Sequence, residues 1–247
     1  MSQHFDIDDI LREWPFEPGK VIARLIRADD GHEVLQMRIE MGLLQMETRN
    51  RPDGKMPGGS ETYLDYLIQQ GFRTSDGFEL SEQQYLEVDC EFMQFYHRRI
   101  CWLALRAFPQ AVADADHTLA LMDFVATHPK NELWTASHEQ YRPFVLFHRI
   151  QAAALAELEA SGPERAIEEL GRGLAQLLKV FEACEAGERF DQDAMVAQLT
   201  ELTKWVRRHY DVGRTLAEQL ADAVASEQYE LAAKLRDEIA RRYSKDI

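Results

Sequence analysis

A histidine and a cysteine four residues apart, His97 and Cys101, have the spacing of a nucleophilic pair. Positions i and i+4 share one face of a helix, so the imidazole could deprotonate the thiol. Phe95, Trp102 and Leu103 flank the pair, and this composition is typical of a core helix. A cysteine buried beside aromatic rings behaves as a small hydrophobic residue. We therefore expect no thiol chemistry here.

Asp114 and His117 form a second pair, in which a carboxylate and an imidazole on one helix face could bind a metal. A metal site needs a third and a fourth ligand, and the sequence places neither. The repeated pairs His97-Arg98 and His148-Arg149 indicate a duplicated helix rather than two active sites. We predict no catalytic residue, no cofactor and no metal, and expect the protein not to be an enzyme.

The most turn-rich segment, Arg51-Pro-Asp-Gly54 followed by Pro57-Gly58-Gly59, combines glycines with basic side chains. A phosphate-binding loop would need Gly-x4-Gly-Lys-Ser/Thr between a strand and a helix. Gly54-Lys55 has neither this spacing nor the hydroxyl. We interpret the segment as a surface loop, and the rim of a ligand site is the alternative.

Basic residues occur in groups at Arg98-Arg99, Arg207-Arg208-His209 and Arg241-Arg242. Two of these groups lie at predicted helix C-termini, where cations offset the helix dipole, and no interleaved aromatic platform accompanies them. The chain has 43 acidic and 28 basic residues, a formal net charge of −15. Such a surface repels a phosphate backbone, so direct nucleic-acid binding is disfavoured.

With 247 residues, the chain is long enough for one large or two modest domains and an appendage. Its three cysteines are few and odd in number, which argues against a disulfide framework and fits a reducing cytoplasm. The acidic start has no apolar segment of a signal peptide, and no later apolar run approaches the ~20 residues of a membrane span. We expect a cytoplasmic protein.

Residues 1–75 predict a small α+β unit. Residues 21–28 and 34–41 have the composition of two strands, joined by a turn at Asp29-Asp30-Gly31. Leu35, Met37, Ile39 and Met41 alternate with polar residues in the second strand, which predicts that the ribbon is buried on one side only. A lone hairpin is marginal, so residues 42–46 should add a third strand or the ribbon should pack on helices.

Residues 76–210 predict a helical domain. Ser81-x-x-Gln84 is a capping box that begins a long helix, and Pro109 begins the next one. A similar layout follows from Leu146-Phe-His-Arg149, with a new helix after Ser161-Gly162-Pro163. Two such units resemble tetratricopeptide-type repeats, which stack antiparallel helix pairs. A plain helical bundle is an equal alternative.

Residues 211–247 predict a helical hairpin, hinged to the rest of the chain at Gly213. Leu216, Leu220 and Val224 form an apolar stripe on a short first helix. After an interruption at residues 226–228, a second amphipathic run begins at Tyr229. Helices shorter than ~12 to 15 residues are marginal alone, so we expect the hairpin to need another surface.

The second run reads Tyr229-Glu-Leu-Ala-Ala-Lys-Leu-Arg-Asp-Glu-Ile239. This order resembles the UVR motif shared by the excision-nuclease subunits UvrB and UvrC, in which the hairpin is a protein-binding module. The alternative is a surface helix packed on its own domain. The resemblance implies binding through the following hairpin residues: Leu216, Leu220, Val224, Tyr229, Glu230, Ala232, Ala233, Leu235, Arg236, Asp237 and Ile239. Leu216, Leu220, Val224, Tyr229 and Ala233 would form the apolar seam, and Arg236-Asp237 the polar pair that sets the register.

These patterns together predict a mainly α, non-catalytic adaptor or regulatory protein. As the resemblance implies, its partner would be a UVR-bearing protein, a Clp-type ATPase or kinase, or a second copy of this chain. Two alternatives stay open. One is an accessory factor in nucleotide excision repair that contacts DNA or the UvrB/UvrC machinery, and the other is an enzyme with a pocket between the ribbon and the helical body.

Overall fold

The computed structural model describes residues 6–73, 78–128 and 131–243. Residues 242 and 243 are described by their backbone alone. Within them the chain is mostly helical and has a small three-stranded antiparallel sheet near the N-terminus, which confirms the predicted fold class. The chain divides into two compact units, Met1–Ala152 and Ala153–Ile247. The predicted boundary between residues 75 and 76 lies outside the described residues.

The sheet confirms the third predicted strand. Its order is β1-β2-β3, with antiparallel neighbours. In the central strand, Leu35 pairs with Leu25 on one side and with Met46 on the other. Met41 was predicted on the buried face, but it lies in the turn before the third strand and is 88% exposed. The strands are β1 (Ile22–Arg27), β2 (Glu33–Ile39) and β3 (Gly42–Glu47).

The central strand β2 is buried on both faces, so the prediction of one-sided burial was wrong. Gln36 and Arg38 are buried, as are Val34 and Leu35 in the same strand. The Arg38 guanidinium donates to the backbone carbonyls of Trp14 and Gly42, each at 2.8 Å. The Arg24 guanidinium lies 4.2 Å from the centre of the Trp14 ring. The segment around Trp14 therefore contacts the polar side chains of the sheet. Hydrogen bonds to these side chains offset the free-energy cost of burying them.

Six α-helices begin in the described part of the first unit. Ser81 begins the third as predicted, because its hydroxyl accepts from Gln84 N at 3.3 Å while its own N–H donates to the Gln84 side chain at 2.8 Å. The fifth helix was not predicted, although Asn131 Oδ1 caps it by accepting from Trp134 N at 3.1 Å. The helices are α1 (Asp8–Glu13), α2 (Tyr63–Arg73), α3 (Glu82–Ala104), α4 (Phe108–Thr127), α5 (Glu132–Glu139) and α6 (Arg142–Ala160), which runs into the second unit.

A buried carboxylate joins α2 to α3 in the core of this unit. Glu91 is fully buried on α3, and it accepts from the backbone N–H groups of Tyr63 and Leu64 at 2.6 and 3.0 Å. These N–H groups belong to the first turn of α2, which has no intrahelical partners for them. Glu91 thus caps α2 from a neighbouring helix. Apolar side chains of α2, α3 and α4 pack around this point: Leu64, Leu67, Val88, Leu121 and Val125.

The second unit continues with two further pairs of helices. α7 and α8 pack against each other, as do α9 and α10. The predicted apolar stripe of α7 is buried at Ile167, Leu170, Leu177 and Phe181. Asp193 caps α8 through Met195 N at 2.8 Å. These helices are α7 (Pro163–Ala183), α8 (Ala194–Tyr210), α9 (Leu216–Ala225) and α10 (Tyr229–Tyr243).

No helix in the described ranges combines the length and the apolar composition of a membrane-spanning segment.

Candidate functional site

The environment of Cys101 suppresses thiol chemistry. Its side chain is fully buried in α3, and burial raises the pKa of the thiol to about 12. Burial also lowers the pKa of His97, because both ionisable groups lose their charged forms in an apolar environment. The thiol therefore stays protonated at neutral pH, and the pair has the character of core residues.

Asp114 and His117 engage different partners instead of one metal. Arg98 donates to both carboxylate oxygens of Asp114, with Nη2 at 2.7 Å from Oδ1 and Nε at 3.0 Å from Oδ2. His117 Nε2 lies 2.9 Å from a Glu91 oxygen, and its ring stacks on Phe95 at 3.7 Å between centroids. Within the described ranges, no three His, Cys, Asp or Glu side chains are grouped as a metal site would require.

The turn-rich loop directs its first arginine into the protein. Arg51 is almost fully buried, and its guanidinium pairs with Glu87 at 2.7 Å and with Asp53 at 3.2 Å. Lys55 is exposed and lies 3.7 Å from the Asp53 carboxylate. Arg51 therefore joins the loop to α3 and is not available at a ligand-binding rim.

The three basic groups have different environments. Arg98 and Arg99 are both buried on α3, just before its last turn. Arg207, Arg208 and His209 occupy the last turn of α8, as predicted. Arg241 is exposed on α10, and the side chain of its neighbour at position 242 lies outside the described residues.

The C-terminal hairpin begins with a capping box, which was not predicted. Thr215 is buried, its hydroxyl accepts from Glu218 N at 3.3 Å, and its N–H donates to the Glu218 carboxylate at 2.9 Å. Arg207 of α8 bonds to both the Glu218 carboxylate and the carbonyl of Gly213. The left-handed residue that ends α8 is Asp211, with φ of 52°. Gly213, the predicted hinge, thus has its carbonyl held by α8.

A tight turn closes the hairpin without a glycine. Glu227 adopts a positive φ of 57°. Its N–H donates to the Val224 carbonyl at 3.0 Å, and Gln228 N donates to the Ala223 carbonyl at 2.8 Å. These bonds satisfy carbonyls at the end of α9, as in a Schellman motif. The turn fixes how α10 returns along α9.

The two helices bury a seam of their own. Ala223 of α9 and Ala232 and Leu235 of α10 are buried in it, and Leu216 and Leu220 pack against them. The alanines allow the helices to approach closely. This seam uses Leu216, Leu220, Ala232 and Leu235, four of the residues predicted to bind a partner, and makes them the internal contacts of the hairpin.

Other predicted residues lie on the outer surface of the hairpin. Val224 and Tyr229 are 53% and 68% exposed, and Leu231, which was not predicted, is 44% exposed. Tyr229, Ala233 and Arg236 follow at i, i+4 and i+7 and therefore share one face of α10. We call Val224, Tyr229, Leu231, Ala233 and Arg236 the outer surface, in which Leu231 lies on a different side of α10 from Tyr229, Ala233 and Arg236.

The turn end of the hairpin also has an open depression of about 490 Å³. Tyr229 and Leu231 line it together with Glu227, Glu230 and Lys234. Apolar and charged side chains are thus mixed where α9 passes into α10. The predicted residues Glu230 and Asp237 are exposed, and Ile239 is half-buried.

Two arginines of the hairpin have carboxylate partners close by. Arg214 Nη1 lies 2.5 Å from Asp222. The predicted register pair, Arg236 and Asp237, is exposed, and the two side chains bond to each other at 2.9 Å. Positive charge at these two positions is therefore balanced locally.

Comparison with known proteins identifies this hairpin. Residues 214–241 match the family model described as the UvrB/uvrC motif, UVR. No curated protein and no solved structure matches the chain. The matched segment begins just before α9 and runs through most of α10, so the family match and the helix pair coincide. The C-terminal helix pair is thus the part of this chain that matches the UVR motif.

Proposed function

We propose that this chain is a non-catalytic adaptor or regulatory protein that binds a protein partner through the outer surface of its UVR hairpin. The observation that carries the proposal is the exposure of three large apolar side chains, Val224, Tyr229 and Leu231, on a hairpin whose internal seam is already formed. These side chains are not needed to hold α9 and α10 together. Their burial in a partner would therefore add binding free energy.

The composition of the outer surface suits protein recognition. Tyrosine is enriched at protein interfaces because its ring buries a large area and its hydroxyl can still find a hydrogen bond. Tyr229 lies between Val224 and Leu231 in sequence and close to the charged Glu227, Glu230 and Lys234. An apolar centre with a polar rim is the usual arrangement of a specific interface.

The charge of the hairpin favours a protein over DNA as the partner. Residues 214–241 contain six acidic and four basic residues. Arg214 and Arg236 are engaged by Asp222 and Asp237. A duplex-binding surface needs several cations directed at phosphates. The hairpin offers instead a net negative surface around an apolar centre.

A non-catalytic role also agrees with the environment of Cys101, Asp114 and His117. The Cys101 thiol is protonated and buried, and Asp114 and His117 are engaged by Arg98 and Glu91. Each of these groups has a role in the packing of the first unit. The proposal therefore assigns the function to the hairpin.

The proposed partner presents a helical surface with an apolar stripe. A second UVR-bearing protein, a Clp-type ATPase or kinase, or a second copy of this chain would provide such a surface. Short helices pair by interlocking their apolar side chains, so the outer surface of α10 would lie against a helix of the partner.

Substitution of Tyr229 and of Ala233 tests the proposal in the full-length protein. Tyr229→Asp and Ala233→Glu place a carboxylate in the proposed interface, and each should weaken partner capture or self-association at least ~10-fold. Pull-down from the native host and light scattering measure these two outcomes. Circular dichroism should show unchanged folding, since both residues are exposed.

Leu133→Asp is the matched control, because Leu133 is an exposed apolar side chain on α5 in the first unit. It should leave capture and association unchanged. If neither hairpin substitution changes them, or if Leu133→Asp has an equal effect, the docking role is incorrect.

A further inference from the structure

The first unit contains a cavity of about 740 Å³ between α3, α5 and the start of α6. This is within the ~300 to 1,000 Å³ of small-molecule sites. Four aromatic side chains form much of its wall: Phe92, Tyr96, Tyr141 and Phe144. Such rings can hold a flat apolar molecule by stacking or edge contacts.

Arg99 contributes a positive charge to the wall of this cavity. Its side chain is 1% exposed, and its guanidinium lies 5.9 Å from the centre of the Tyr96 ring. Nε donates to His148 Nδ1 at 3.3 Å and Nη1 donates to Thr118 Oγ1 at 3.0 Å. Both acceptors are neutral, since burial and the charge of Arg99 lower the pKa of His148 to about 4.

The nearby carboxylates are engaged elsewhere. Asp114 accepts from Arg98 through both of its oxygens. Asp89, which also lines the cavity, lies 2.8 Å from His138 Nε2. Among residues 6–73, 78–128 and 131–243, no carboxylate forms an ion pair with Arg99. Burial lowers the pKa of the Arg99 guanidinium to about 10, although the charge of Asp114 opposes this shift. An anion that binds directly to Arg99 in the cavity would reduce this cost of burial.

We propose that this cavity binds a small aromatic carboxylate, with the carboxylate at Arg99 and the ring among Phe92, Tyr96 and Phe144. The guanidinium uses Nε and one N–H of Nη1, so the second N–H of Nη1 and the two N–H groups of Nη2 remain for a ligand. One guanidinium suits a singly charged carboxylate better than a phosphate, whose greater charge needs more cations. The four aromatic side chains match a ring better than a flexible chain.

Naphthylacetate is the probe, and naphthylethanol is its neutral counterpart with the same ring. Calorimetry on the full-length protein should show saturable binding of the acid at least ~10-fold tighter than that of the alcohol, because a hydrogen bond between charged groups replaces a neutral one. The acid should also raise the melting temperature as its concentration rises. Absence of saturable binding, or equal binding of acid and alcohol, overturns the proposal.

Two variants locate the binding. Arg99→Met removes the charge and should bring the acid to the affinity of the alcohol. Met93→Trp enlarges a half-exposed side chain of the cavity wall and should abolish binding of both probes. If Arg99→Met does not fold, the binding site is tested by Met93→Trp and by the comparison of acid and alcohol in the wild type. Unchanged acid binding in Met93→Trp contradicts the site. The hairpin belongs to the second unit and does not line this cavity. Tyr229→Asp should therefore bind naphthylacetate as the wild type does, whether or not it loses its protein partner.

Discussion

Glu91 shows how the first unit uses a buried charge to hold two helices. Its carboxylate accepts from two N–H groups at the start of α2 and lies against His117 of α4. Hydrogen bonds to backbone N–H groups stabilise a carboxylate even where water cannot reach it. Removal of one partner from such an arrangement costs more than the bonds contribute, because the other partners are left buried and unsatisfied.

We predict that Glu91→Ala lowers the free energy of unfolding by about 3 kcal/mol, since two buried N–H groups and an imidazole lose their acceptor. Glu91→Gln is the control, because it keeps the volume and one acceptor oxygen, and it should cost clearly less. Urea denaturation measures both variants. Equal stability of Glu91→Ala and the wild type would contradict this role of Glu91.

His148 should make the stability of the protein depend on pH. Burial and the charge of Arg99 lower its folded-state pKa from 6.5 to about 4. Between these values the unfolded chain binds the proton and the folded chain does not. The contribution of His148 to the free energy of unfolding is therefore fully present above pH ~6.5. It is lost as the pH falls toward ~4, by about 3 kcal/mol in total.

Denaturation of wild type and His148→Gln at several pH values checks this dependence. Glutamine can still accept from Arg99 but does not titrate, so the variant should lose the His148 contribution to the slope. Carboxylates and His97 titrate in both proteins, and their effects cancel in the difference. Identical slopes for the two proteins would show that His148 is not the group responsible.

The elements of the fold differ in how far the sequence alone predicts them. Ser81-x-x-Gln84 predicts the start of α3 because the capping box is a local interaction. The burial of Gln36 and Arg38 could not be predicted, since it depends on the contact of a distant segment around Trp14. The α5 helix was missed because eight residues give too short a pattern, although Asn131 carried a capping signal.

The hairpin shows a similar limit in the candidate site. Ala232 and Ala233 are adjacent small residues, and both fit a helix interface in the sequence pattern. One residue is about 100° of rotation on a helix, so only the position of α9 determines which alanine is internal. The structure buries Ala232 in the seam and exposes Ala233. The motif could thus be recognised from sequence, but its inner and outer surfaces could not be separated.

We predict opposite effects of one substitution at these neighbouring positions. Ala232→Glu puts a carboxylate into the seam, which should cost about 3 kcal/mol or more and unfold the hairpin. Ala233→Glu should leave the hairpin folded. Hydrogen exchange followed by mass spectrometry should show loss of protection in α9 and α10 for Ala232→Glu alone, while α3 and α4 stay protected in both. Equal protection of the hairpin in the two variants would contradict the assigned seam.

At the scale of the whole molecule, charge separates two classes of partner. The net charge of −15 gives a repulsive field for any polyanion that approaches the protein. Arg98 and Arg99 are buried in α3, and Arg207 is engaged by Glu218. These arginines are therefore not available to contact phosphates. This charge distribution supports the protein partner of the proposed function over DNA.

We predict that the full-length protein does not shift duplex DNA in a gel at low salt, where electrostatic attraction between a protein and DNA is strongest. A basic DNA-binding protein on the same gel shows that the conditions detect binding. Repetition at several salt concentrations distinguishes electrostatic DNA binding from an artefact. For a true duplex binder, the logarithm of the binding constant falls linearly with the logarithm of the salt concentration, because counterions return to the DNA on dissociation. A shift with that salt dependence would contradict the proposal that the partner is a protein and not DNA. It would require cations directed at phosphate, and the paired arginines of the hairpin, Arg214 and Arg236, would then have to leave Asp222 and Asp237.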